Sequence, residues 1–97
     1  MTFQLASYGA VFSTRPLGAK LRDQALSERH NGDVLTISFA GVQSVSYSFA
    51  DEFLGPIMVE GKANLSDVPE QLQGIILGAL ERRGMTVDES EIFGVCA

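Results

Sequence analysis

The sequence predicts a small single-domain α/β sandwich, a central mixed sheet with helices packed on it. Three observations carry that expectation. Apolar residues recur at helical spacing in a segment opening near Pro16 and again, over three turns, from Val68 to Leu80. Between them, Val34-Leu35-Thr36-Ile37-Ser38-Phe39 is rich in β-branched and apolar residues, the composition of a buried strand. The order of segments is strand, a short second strand, helix, strand, helix, short strand, helix, and a terminal segment. Such alternation favours a sheet on one side and helices on the other.

Residues 3–8 set Phe3, Leu5 and Ser7 against Gln4, Ala6 and Tyr8 and read as an edge strand, with Val11-Phe12-Ser13 continuing it after a turn at Gly9. Arg15 precedes a proline and is biased away from helical geometry, whereas Pro16 suits a first helical position because its missing N–H would be unpaired there. A helix is therefore expected from Pro16. Leu17, Leu21, Ala25 and Leu26 face inward, and Lys20, Arg22, Asp23 and Glu28 face outward. Asn31-Gly32 supplies the stop.

After the Val34–Phe39 strand, expected to be covered on both faces, residues 40–47 read as a loop. Ser48-Phe49-Ala50-Asp51 has the S-x-x-D form of a capped helix start, with Asp51 and Glu52 in the positive first turn. Phe49, Phe53 and Ile57 share a face, and Gly55-Pro56 is expected to end or kink this helix. A short strand is expected over 58–61. The last helix is capped by Ser66 or Asp67, buries Val68, Leu72, Ile75, Ile76, Ala79 and Leu80, and closes on Arg82, Arg83 and Gly84. Residues 84–97 read as either a C-terminal strand or a docking tail, through Ile92, Phe93 and Val95.

Composition narrows the function. A chain of 97 residues with 45% hydrophobic content is expected to hold one core, with residues 1–97 forming a single domain. Net charge is −5 with seven Lys and Arg, so neither nucleic acid nor an anionic membrane has an electrostatic footing. Cys96 is the single cysteine and has no internal partner, which fits a reducing, cytoplasmic compartment. The first residues lack the basic and apolar regions of a signal peptide, and no apolar run approaches a membrane span.

Catalytic groups are scarce. His30 is the only histidine and reads as a surface or helix-end residue; with Cys96 it makes neither a zinc ligand set nor a dyad with an orienting third group. Asp51-Glu52 reads as capping, and Asp88-Glu89-Ser90-Glu91 as a solvated turn. No glycine pattern matches a dinucleotide or P-loop fingerprint. The expectation is a protein that is not an enzyme, with no cofactor and no metal.

The run from Ile37 to Gly55, with its buried strand, Gly41-Val42 turn and Ser48-Phe49-Ala50-Asp51-Glu52 helix start, resembles the STAS-like domains of unknown function. These are bacterial and phage relatives of anti-sigma-factor antagonists. Ser13-Thr14-Arg15 with Gly18, Asn64-Leu65-Ser66 and Leu80-Glu81-Arg82-Arg83 extend the resemblance over about residues 3–83. It implies a regulatory module that binds a protein partner, with a histidine-kinase-type ATPase as one candidate. In the antagonists, a serine at the start of the helix after this loop is phosphorylated. Aligned through Gly41-Val42, that slot falls on Tyr47, with Ser46 in place of an aspartate before it and Ser48 after it. Ser38 stands where the family's strand usually carries aspartate.

These residues give the expected contact surface: the loop and helix start at 44–51, with Ser46, Tyr47, Ser48 and Asp51 as partner-binding or regulatory residues. Two alternatives stand beside it. One is a small-ligand or nucleotide-binding domain, using Arg15 and Ser48 as an anion seat near the helix N-termini. The other is a structural subunit forming a homo-oligomer.

Overall fold

The computed structural model describes residues 2–29, 34–59 and 63–85. In chain order these form β1 (Thr2–Gln4), a 3-10 helix (Leu5–Tyr8), β2 (Val11–Phe12), α1 (Arg15–Glu28), β3 (Leu35–Ser38), β4 (Ser44–Val45), α2 (Tyr47–Val59), β5 (Ala63–Ser66) and α3 (Glu70–Arg82). The expected α/β class is present, and its pairings among the described residues are all parallel rather than mixed.

The larger sheet has the order β1-β3-β5. Parallel neighbours need a crossover. One, containing α1, joins β1 to β3, and a second, containing α2, joins β3 to β5. Register aligns Phe3, Ile37 and Leu65 in one row across the sheet, and Thr2, Thr36 and Asn64 in the next. The first row is buried. In the second, Thr2 and Asn64 are exposed and Thr36 half-buried. The sheet thus has one apolar face, while the central strand β3 is shielded on both, with Thr36 half-buried and Ser38 3% exposed on the polar side.

That face meets the helices through a chain of aromatic rings. Phe12 lies 5.0 Å from Phe49, Phe49 lies 5.3 Å from Phe53, and Phe53 lies 6.2 Å from Phe3. All four are buried in one core with Leu21, Leu35, Ile37, Leu72, Ile76 and Leu80. Offset and tilted ring pairs at this spacing are the favourable arrangements for their quadrupoles. Gly18 lets α1 approach α2 closely: a Cβ there would stand 3.1 Å from the Phe49 carbonyl oxygen and 3.2 Å from Glu52 Cβ.

Several elements differ from the sequence reading. Residues 5–8 leave the edge strand as a 3-10 helix, with Leu5 buried and Tyr8 turned back to stack on Phe3 at 5.2 Å. The segment read as a loop over 40–47 contains β4, which pairs with β2 as a separate two-stranded sheet. Gly41, at φ 85°, makes the turn before it, with the Val42 N–H donating to Phe39 O at 3.0 Å. A residue with φ > 0 at the third position of such a turn favours glycine.

Helix α2 is not ended by Gly55-Pro56 but runs on to Val59. The strand expected over 58–61 is replaced by helix at residues 58 and 59, and 60–61 lie outside the described residues. A strand forms instead at β5, held by its register on β3. Helix α3 takes Pro69 at its N-cap, with no side-chain cap from Ser66 or Asp67; Asp67 sits at φ 53° in the turn ahead. Leu72, Ile76, Ala79 and Leu80 are buried as expected, whereas Ile75 is 36% exposed. The Asn31-Gly32 stop, His30, Cys96 and the segment Ile92–Val95 fall outside the described residues.

Candidate functional site

Strands β2 and β4 each lead, through a hydroxyl residue, into a helix. Thr14 caps α1, its hydroxyl accepting from the Leu17 N–H at 3.3 Å, so Arg15 is the first helical residue and Pro16 the second. Ser46 occupies the matching position before α2: its hydroxyl accepts from the Phe49 N–H at 3.1 Å and donates to Ser13 O at 3.0 Å. Its own N–H donates to Phe12 O at 2.8 Å. The parallel pairing therefore sets two helix N-termini side by side.

This geometry replaces the cap expected at Ser48. Ser48 lies inside the first turn of α2 and is half-buried, and Asp51 and Glu52 lie beyond that turn. The two carboxylates face arginines instead. Arg15 Nη1 meets Asp51 Oδ2 at 2.7 Å, and Arg83 Nε, from the end of α3, donates to Asp51 Oδ1 at 2.8 Å. Arg22 Nη1 holds Glu52 Oε2 at 2.6 Å and also the Glu52 main-chain oxygen at 3.0 Å. Arg22, expected to face outward, is thus folded against α2 with its side chain 19% exposed.

The hydrogen bond from Arg83, and then that from Arg15, hold the Asp51 carboxyl below its ordinary value near 3.8. Both arginines stabilise its charged form. The guanidinium of Arg15 is raised in turn, chiefly by its hydrogen bond to Asp51. Arg83 reaches Asp51 across Gly55, where any Cβ would overlap its side chain. The missing side chain at position 55 is what opens this path.

Arg15, Tyr47, Asp51, Arg82 and Arg83 line a cavity of about 430 Å³ where the starts of α1 and α2 meet the end of α3. Arg82 lies over the Tyr47 ring at 5.8 Å from its centroid. Small-ligand pockets are mostly apolar with a few polar groups. This one is walled by charged groups and a single aromatic, a lining suited to an ionic contact.

Of the residues singled out from the sequence, Arg15, Tyr47 and Asp51 come together at the cavity. Ser46 serves as the helix cap, and Ser48 is not among the lining residues. Sequence reasoning gives Arg82 and Arg83 as the closing residues of the last helix and as part of the resemblance, not as site residues; their pairing at the end of the most periodic helix is the signal that could have marked them. Among the described residues, no three His, Cys, Asp or Glu side chains converge as a metal site would require, and no helix is long and apolar enough to cross a membrane.

Residues 18–68 match the family model of a STAS-like domain of unknown function, and the chain belongs to that family. The match runs from the first turn of α1, at Gly18, through β5 to the turn after it. No curated protein and no solved structure matches the chain.

Proposed function

We propose that this STAS-like domain is a non-enzymatic regulatory module that binds a protein partner through the loop and helix start at residues 44–51. One observation carries the reading: Tyr47, the first residue of α2, remains 36% exposed beside a cavity walled by charge, while Phe49 and Phe53 further along the helix are buried. Aromatic and arginine side chains are the commonest interface anchors, and here they stand together. The partner is a protein of the cell interior, with a histidine-kinase-type ATPase as the family-based candidate. Asp51 keeps the arginines ordered for contact, and Ser46 fixes the helix start by capping it.

The test pairs binding with melting. Tyr47→Ala weakens capture of the partner from the native host far more than it lowers the melting temperature. A variant that unfolds while its folded fraction binds normally places Tyr47 in a structural role and moves the contact elsewhere.

A further inference from the structure

Three of the chain's seven cationic residues, Arg15, Arg82 and Arg83, surround one cavity of a protein whose net charge is −5. Asp51 is the one acid in that lining, and Glu52, 3.8 Å from Arg15, is itself neutralised by Arg22 at 2.6 Å, so the wall keeps an excess of two positive charges. The placement is built rather than incidental. Arg83 passes over Gly55, and Asp51 accepts from Arg83 with one oxygen and from Arg15 with the other. Arg82 is held over the Tyr47 ring and, among the described residues, pairs with no carboxylate.

We infer that this cavity is a receptor for a phosphate monoester, with Arg82, Arg83 and Arg15 as its ligands and Asp51 as the counter-ion that keeps two of them in place. The charge count selects the ligand. A phosphate monoester carries close to two negative charges at neutral pH and three strong acceptor oxygens, matching an excess of two charges on three guanidinium groups. A carboxylate or sulfate ester leaves one positive charge unanswered. Arginine forks pair with phosphate oxygens in a bidentate way that lysines cannot reproduce. The acidic remainder of the surface disfavours long polyanions while admitting a single small dianion. This site shares Tyr47's arginine neighbours with the proposed partner contact and goes beyond it in ligand, because a phosphate ester alone fills it and no particular protein is needed.

The experiment is a calorimetric titration of the full chain at fixed ionic strength. The probes are phenyl phosphate, inorganic phosphate, phenyl sulfate, and a short peptide with and without one phosphoserine. Phenyl phosphate binds saturably, and phenyl sulfate binds roughly tenfold more weakly or worse, a gap of about 1.4 kcal/mol. Affinity falls as pH drops through about 6, where the monoester takes up a proton. Arg82→Gln and Arg83→Gln each weaken binding by on the order of tenfold, comparable to losing one charge-assisted contact. Arg82→Gln does so with an unchanged melting temperature, which separates ligand loss from unfolding.

Tighter binding of the phosphopeptide than of phenyl phosphate identifies a phosphorylated protein as the source. Equal binding of phenyl phosphate and the phosphopeptide identifies the free ester. The inference is overturned if phenyl phosphate shows no saturable binding, if sulfate binds equally, or if Arg82→Gln retains full affinity. Any of these results leaves the partner contact at Tyr47 to be judged by its own test.

Discussion

Arg22 supplies the hydrogen bond that Pro56 withholds. A proline inside a helix has no N–H for the carbonyl four residues earlier, here that of Glu52, and Arg22 Nη1 donates to that oxygen from α1 at 3.0 Å. The same guanidinium holds the Glu52 carboxylate at 2.6 Å. Helix α2 continues past its proline because a neighbouring helix satisfies the exposed carbonyl. Arg22→Ala is expected to cost about 1–3 kcal/mol, the range for leaving a partly buried acceptor unmet. In a Pro56→Ala background the cost should shrink, because an alanine there offers the missing N–H. A double-mutant cycle by denaturant unfolding measures this. Full additivity would mean that Arg22 and Pro56 are unconnected.

Much of the fold is legible in local patterning. The inward faces of α1 and α3 and the strand character of 35–38 follow from periodicity and backbone chemistry, whereas the turn at Gly41 comes from the family resemblance. What local patterning misses is long-range. Two hydroxyls, at 46 and 48, both suit a helix cap; Ser46 takes the position because β4 pairs with β2, which ties its N–H to Phe12 O and its hydroxyl to Ser13 O. Likewise, Pro56 reads as a helix end or kink because nothing near it in sequence reveals Arg22. The site is half-legible for the same reason: Arg15, Tyr47 and Asp51 belong to the helix starts, but Arg82 and Arg83 arrive from the far end of α3.

The glycines separate into tight and open positions. Gly18→Ala should destabilise the domain, because overpacking against the Phe49 carbonyl and Glu52, typically about 1–3 kcal/mol, exceeds a helix-propensity gain of about 1 kcal/mol. At Gly74 in α3 nothing stands within 4 Å of an added Cβ. Gly74→Ala should therefore stabilise by about 0.4–1 kcal/mol. Thermal melting of both variants checks the pair, and shifts of the same sign would contradict the α1–α2 packing.

The inner face of α3 gives a second contrast. Leu72→Ala or Ile76→Ala should cost about 2–5 kcal/mol, since both side chains are buried. Ile75, expected from spacing to be buried, is exposed enough that Ile75→Ala should cost markedly less. Comparable denaturation midpoints for all three would place the wrong face against the core.

Asp51 predicts a pH dependence of defined sign. Its folded-state value lies below the ordinary one near 3.8, so its pairing with Arg83 and Arg15 stabilises the fold above that pH. The contribution is lost as pH falls through the lowered value. The stability difference between the native chain and Asp51→Asn should stay constant above about pH 5 and shrink below about pH 4. A difference that persists undiminished in strong acid would show that the variant acts through packing instead.

The partner contact is tested most directly by placing a photo-crosslinking phenylalanine analogue at position 47 in the native host. Position 64, on the polar row of the sheet away from the helices, serves as the control site. Both variants are first shown to melt at the same temperature. The account predicts a discrete crosslinked protein from position 47 that is absent from position 64, and that disappears when Arg82 and Arg83 are both replaced by glutamine. The same product from both positions, or a product from position 64 alone, would contradict a partner surface at the start of α2.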